Sequence, residues 1–248
     1  MDKRPIGVFD SGLGGLTVVK ALKGLLPNES ILYFGDTARL PYGVKSKDLV
    51  EQYSTQITRF LIKKNAKMII VACNTATAMA LNKLKKDFKN IPIIGVIEPG
   101  SKQAIFESNS KKIGVIGTIA TISSNAYEEA IKEKDREVDI ISKACPLFVP
   151  FVEEGLTEGP AINEVVKHYL SSFNNNVDTL ILGCTHYPLL KGIISKNTKQ
   201  ITLIDSASAV AKEAYKKLQI HRLLNRGANL GTLHCHVTDL PMRFRELG

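Results

Sequence analysis

The sequence predicts an α/β fold made of two similar domains. Each is a parallel sheet flanked by helices, and the two are pseudo-twofold related with the functional site between them. Three observations predict it. Short β-branched runs alternate with longer helix-like segments along the chain, the pattern of βαβ units. The runs are apolar throughout, as strands covered by helices on both faces require. The pattern is also doubled: one third strand ends at Ala72-Cys73-Asn74-Thr75, and a later one ends at Gly183-Cys184-Thr185-His186.

Taken in order, residues 6–9 are the first strand. It runs into Asp10-Ser11-Gly12-Leu13-Gly14-Gly15 and a helix over 16–26. Residues 30–34 are the second strand, leading through Gly35-Asp36-Thr37 and Pro41-Tyr42-Gly43 to a helix over 48–64. The third strand, 68–72, ends on Cys73 and is followed by a helix over 77–88. Residues 93–97 are the fourth strand, and 95–100 cross to the second half. There the strands are 112–116, 138–142, 179–182 and 201–204, with helices over 123–134, 161–173 and 208–218. The predicted division is 1–95 plus 207–248 for the first domain and 96–206 for the second.

Composition narrows the function classes. The chain has 248 residues, 44% hydrophobic and 23% charged, enough apolar material for a sizeable core. No apolar run approaches the ~20 residues of a membrane span. No apolar leader precedes the first strand, so a cytoplasmic location is expected. Four cysteines in a chain this long are too sparse for a disulfide scaffold, and free thiols are expected. No C-x-x-C pair occurs, and His234-Cys235-His236 lacks zinc-ligand spacing, so no metal is expected. That triplet reads as strand residues alternating faces. Cys145 and Cys235 read as core residues.

The formal charge is +9. The lysines fall in helix-like segments, so solvated helix faces are the first reading. Attraction of an anionic substrate is the second. Nucleic-acid binding is the third, since no recognised motif accompanies the charge.

Ligands of open parallel sheets bind beyond the carboxyl ends of the strands. Gly12-x-Gly14 after a strand suggests a dinucleotide site, with Asp36 near the end of the second strand. However, the third glycine of that pattern would fall on Thr17. The same turn presents backbone N–H groups that suit a carboxylate as well as a phosphate.

The two strand-end cysteines suggest another chemistry. One such thiol is more often structural; two at matching places in a doubled unit point to proton transfer on opposite faces of one carbon. Cysteine suits that work when a helix N-terminus or a neighbouring cation lowers its pKa. His186 stands two residues past Cys184, and Asp10 is a candidate acceptor beside Cys73. A nicotinamide-dependent oxidoreductase, a two-lobed binding protein and a redox pair remain alternatives.

Six segments carry a family resemblance. They begin Gly7-Val8-Phe9-Asp10-Ser11-Gly12, Tyr33-Phe34-Gly35-Asp36-Thr37, Val71-Ala72-Cys73-Asn74-Thr75, Gly95-Val96-Ile97-Glu98-Pro99, Cys145-Pro146-Leu147-Phe148-Val149 and Ile181-Leu182-Gly183-Cys184-Thr185-His186. With them the sequence resembles the glutamate racemases, within the aspartate/glutamate racemase family. His186 stands where an acid is expected in the aspartate enzymes, which favours glutamate.

The resemblance implies a cofactor-independent interconversion of L- and D-glutamate that supplies D-glutamate for peptidoglycan. It implies Cys73 and Cys184 as the acid/bases, the first acting on D-glutamate and the second on L-glutamate. Asp10, Glu153 and His186 match the assisting groups. Ser11, Tyr42, Gly43, Asn74, Thr75 and Thr185 match substrate-holding positions, and Asp10, Pro41, Thr118, Thr121 and His186 join that set. The partners implied are the substrate and a second copy of the chain in a homodimer, with no nucleic acid and no membrane. Relatives activated by a cell-wall precursor carry an N-terminal extension. Six residues precede Gly7 here, so that regulation is not expected.

Overall fold

The computed structural model describes residues 2–198 and 200–239. The end of the predicted first domain, 240–248, lies outside the described residues. Two parallel sheets form. The first contains β1 (Ile6–Asp10), β2 (Ile31–Gly35), β3 (Met68–Val71), β4 (Ile93–Gly95) and β9 (Leu233–Val237), in the order β4-β3-β1-β2-β9. The second contains β5 (Lys112–Gly117), β6 (Asp139–Ala144), β7 (Thr179–Gly183) and β8 (Thr202–Asp205), in the order β6-β5-β7-β8.

Apart from β9, the orders are the same. Each sheet starts in its middle, adds its second strand on one side and its third and fourth on the other. The chain direction therefore reverses beside β1 and β5, and ligands collect at such a switch point. β3 and β7 are topological equivalents, and each carries a cysteine just past its end.

The helices are α1 (Leu16–Leu25), α2 (Lys47–Lys63), α3 (Asn74–Asp87), α4 (Ile97–Glu107), α5 (Ile119–Ser123), α6 (Ala126–Lys132), α7 (Phe148–Glu153), α8 (Pro160–Leu170), α9 (Lys191–Asn197) and α10 (Ser206–Ile220). They cover both faces of each sheet. Val8 and Ile70 pack with Val18, Leu22, Val210 and Ala214 of α1 and α10. Phe9 and Ile69 pack on the opposite face with Ile57, Leu61, Ala76 and Ala80 of α2 and α3. In the second sheet Leu180 and Leu182 meet Phe148, Ile162 and Val166 of α7 and α8. Val115 and Ile181 face Ala104 and Ile131 of α4 and α6.

The structure differs from the sequence reading in several places: α3 starts at Asn74 rather than 77, and α7 and α9 were not expected. The fourth strand is shorter than the expected 93–97: β4 stops at Gly95 and α4 begins at Ile97. Residues 123–134 are not one helix, because Asn125 takes a left-handed φ of 55° between α5 and α6. β6 is not apolar throughout; it is an edge strand with no fully buried residue. Cys235 is not in the core but exposed, because β9 pairs only with β2 at a sheet edge. The triplet His234-Cys235-His236 is strand, as read, and the His236 ring packs edge-on against Phe60. Among the described residues no helix is long and apolar enough to cross a membrane.

Candidate active site

The carboxyl ends of the two sheets meet around one cavity. The first half supplies Ser11, Leu40, Pro41, Tyr42, Gly43, Cys73, Asn74 and Thr75 to its wall. The second supplies Thr118, Val149, Glu153, Cys184, Thr185 and His186. Both strand-end thiols therefore reach the same space from opposite sheets. Each is 6% exposed.

Cys73 caps α3. Its sulfur accepts the Ala76 N–H at 3.5 Å and lies 3.8 Å from the Ser11 hydroxyl. A helix N-terminus was expected to lower its pKa, but the direction is the reverse. Burial, then the Asp10 carboxylate, push the thiol up to about 12, against the Ala76 and Ser11 hydrogen bonds. One amide does not offset removal from water. Cys73 thus carries its proton.

Cys184 sits beside a different partner. His186 Nδ1 is 3.8 Å from its sulfur, and Nε2 is 3.1 Å from Glu153 Oε1. Burial alone would lower the imidazole pKa, but the hydrogen bonds to Cys184 and Glu153 raise it to about 10. His186 is therefore an imidazolium at neutral pH, flanked by a sulfur and a carboxylate.

Asp10 is fully buried and stands behind the wall rather than in it. Its Oδ2 accepts the N–H groups of Gly12 at 3.1 Å and Gly15 at 2.9 Å. Its Oδ1 accepts the Thr185 hydroxyl from the other half at 3.3 Å. The carboxylate suited to the glycine turn is thus the chain's own. A methyl added at Gly14 would stand 2.4 Å from Thr185 Oγ1, so the turn is packed against the second half. Asp36 is occupied too: it accepts from Arg39, Thr238 and the Tyr42 hydroxyl. The dinucleotide reading fails on these contacts, since the Gly12 and Gly15 amides of the turn and the Asp36 carboxylate are already engaged within the chain.

Thr75, Thr118 and Thr121 form a hydroxyl triangle across the halves, at 2.9, 3.0 and 3.3 Å. Thr121 stands behind Thr118 and does not line the cavity. Gly43 lets its backbone approach that triangle, because a Cβ there would lie 2.7 Å from Thr118 Cβ. Tyr42 lines the wall with its hydroxyl turned to Asp36. Leu40 and Val149 complete the wall. Sequence reasoning missed both as site residues, because an apolar side chain in a cavity wall has the same signature as one in the core.

A protein-family model described as Asp/Glu/Hydantoin racemase matches residues 16–214. The glutamate racemase of Chlorobaculum tepidum is 51% identical, covering 98% of this chain and 90% of that one. The glutamate racemase of Aquifex aeolicus is 50% identical, with 98% and 91% covered. The crystal structure of glutamate racemase from Francisella tularensis, in complex with D-glutamate, superposes with a TM-score of 0.93. It is 44% identical and covers 100% of this chain and 92% of its own. On its sequence, its doubled sheets and these relatives, the chain belongs to the glutamate racemases of the Asp/Glu/Hydantoin racemase family.

Proposed function

We propose that the protein interconverts L- and D-glutamate by a cofactor-independent two-base reaction, supplying D-glutamate for peptidoglycan. The observation that carries this reading is the pair of thiols, Cys73 and Cys184, at equivalent strand ends on opposite sides of one cavity.

In the proposed reaction Cys184 takes the α-proton of L-glutamate. Cys73 delivers its own proton to the opposite face of the α-carbon, which yields D-glutamate. The reverse direction exchanges the roles. The protonation described above supports the first direction from the substrate-free state: Cys73 holds a proton to give, and the imidazolium of His186 faces the Cys184 sulfur. A bound substrate brings its own ammonium group, a cation that works against the burial which holds the proton on Cys73.

The α-proton of an amino acid is weakly acidic, so the developing charge needs fixed donors and exclusion of water. Ser11, Asn74, Thr75 and Thr118 supply such donors from the wall, while the Thr185 hydroxyl donates to Asp10, and the backbone around Tyr42 and Gly43 closes one side. Asp10 and Thr121 support this wall from behind. Incubation with D-glutamate in D₂O tests the reading: deuterium enters the α-carbon as L-glutamate appears, and an unlabelled α-carbon would refute it.

The same reading includes a cytoplasmic homodimer, the division into 1–95 plus 207–248 and 96–206, and no need for nucleic acid. α10 packing with α1, and α4 with the second sheet, support the division. Ion pairs such as Lys83–Asp87 and Lys102–Glu98 support solvated helix faces rather than a nucleic-acid stripe. Light scattering should return a dimer mass, and duplex DNA should not shift at physiological salt. A monomer mass or a DNA shift would remove the corresponding part.

A further inference from the structure

We propose that Tyr127 is a positioning residue that sets which way the Asn74 amide faces. The inference rests on the racemase reading given above. Tyr127 comes from α6 of the second half and is 2% exposed. Its hydroxyl donates to Asn74 Oδ1 of the first half at 2.6 Å and lies 3.1 Å from Ser206 Oγ at the start of α10.

The proton inventory gives the arrangement a direction. A tyrosine hydroxyl has one proton, and Asn74 accepts it. Ser206 can then donate to the tyrosine oxygen, so the chain runs Ser206 to Tyr127 to Asn74. With Oδ1 engaged, the Asn74 Nδ2 group is left with its two N–H donors. Nδ2 has no protein acceptor among the described residues, while Asn74 lines the cavity beside Cys73.

An anionic substrate makes this orientation matter. A carboxylate accepts hydrogen bonds and donates none. The amide helps only with Nδ2 toward the cavity; flipped, it would aim a lone pair at an anion. Burial holds Tyr127 in its protonated form by raising its pKa, so the hydroxyl remains a donor across the working range of pH. The ring is held too: a Cβ at Gly183 would lie 3.0 Å from its Cε2. Tyr127 therefore sits beneath the strand end that carries Cys184 and reaches the neighbour of Cys73.

Tyr127→Phe in the full chain should raise KM for both enantiomers about tenfold, the scale of one hydrogen bond to a charged group, with a smaller change in kcat. Asn74→Ala should lose at least as much. The double variant should be no worse than Asn74→Ala alone, because Tyr127 acts through Asn74. A purely structural tyrosine would instead lower Tm and multiply with Asn74→Ala. Asn74→Asp provides a check that does not depend on Tyr127→Phe folding: it keeps the acceptor for Tyr127 but replaces the donor with a charge. It should lose D-glutamate binding by calorimetry at an unchanged Tm.

A Tyr127→Phe KM within twofold of wild type, multiplying effects, or normal binding by Asn74→Asp would overturn the inference. Wild type is assayed alongside. An inactive wild type defeats the racemase reading itself, whereas an active wild type with an unaffected Tyr127→Phe defeats only the role of Tyr127.

Discussion

At the residue scale, the two thiols stand in unlike surroundings although they stand at like positions. Cys73 has a carboxylate behind it and one amide in front, whereas Cys184 has a protonated imidazole. Glu153 sustains that difference, because its carboxylate, after Cys184, helps hold the His186 pKa at about 10. Glu153→Gln removes a charge partner, an effect worth about one pKa unit or more. The imidazolium is then lost at lower pH, and the alkaline limb of kcat/KM should move down by about one unit. An unmoved limb would show that Glu153 does not tune the site. The sign for stability follows from the same shift. A histidine raised from 6.5 to about 10 contributes stability that is fully present below pH 6.5 and lost as pH rises through about 10. Urea midpoints across that window should fall in wild type and fall less in Glu153→Gln.

At the element scale, the doubled strand order places the chemistry. That doubling was legible in the sequence, because Cys73 and Cys184 each end a short apolar run followed by hydroxyl residues. The unread parts have local physical causes. α4 was hidden because Gly95-Val96-Ile97 continues a β-branched pattern into a helix. The break at Asn125 was hidden because a single left-handed asparagine leaves little trace between two helical stretches. Two elements also carry predictions. Gly14→Ala forces a methyl to within 2.4 Å of Thr185 Oγ1 and 2.8 Å of His186 Nδ1. Overpacking of this kind costs about 1–3 kcal/mol, and kcat/KM should fall further than Tm suggests, because His186 is displaced. A variant with wild-type kinetics would contradict the close contact.

Asp178, just before β7, receives the Ser108 hydroxyl and the amides of Asn109 and Ser110. Burial alone would raise its pKa, but the hydrogen bonds from Ser108 and Ser110 lower it to about 2. Its stabilising effect is present above pH 3.8 and lost as pH falls through about 2. Discounted for solvent screening, Asp178→Asn should cost about 1 kcal/mol near neutrality, and the loss should vanish in acid melts. A constant difference at all pH values would rule out the charge as its source.

At the scale of the whole molecule, the net charge of +9 meets an anionic substrate. Over distances beyond ~10 Å such a field is screened at about 0.1 M salt. KM for glutamate should therefore rise about twofold from low to high sodium chloride, while kcat holds. A salt-independent KM would leave recognition to the cavity wall alone. The sequence anticipated that two halves would face one site, because its paired motifs made that legible. It did not anticipate that the glycine turn would be filled by Asp10, since no local pattern reports which acceptor a buried amide finds. Nor did it anticipate Tyr127, whose partners lie 53 and 79 residues away.

The proposed two-base reaction requires that two thiols, and not one, exchange protons with the α-carbon. Its most direct test follows racemisation of L- and D-glutamate in D₂O by wild type, Cys73→Ala and Cys184→Ala, with α-deuteration read by NMR. Wild type should deuterate the product as it racemises, and each variant should lose racemisation in both directions while remaining folded. Near-normal turnover in both directions by either variant would contradict it.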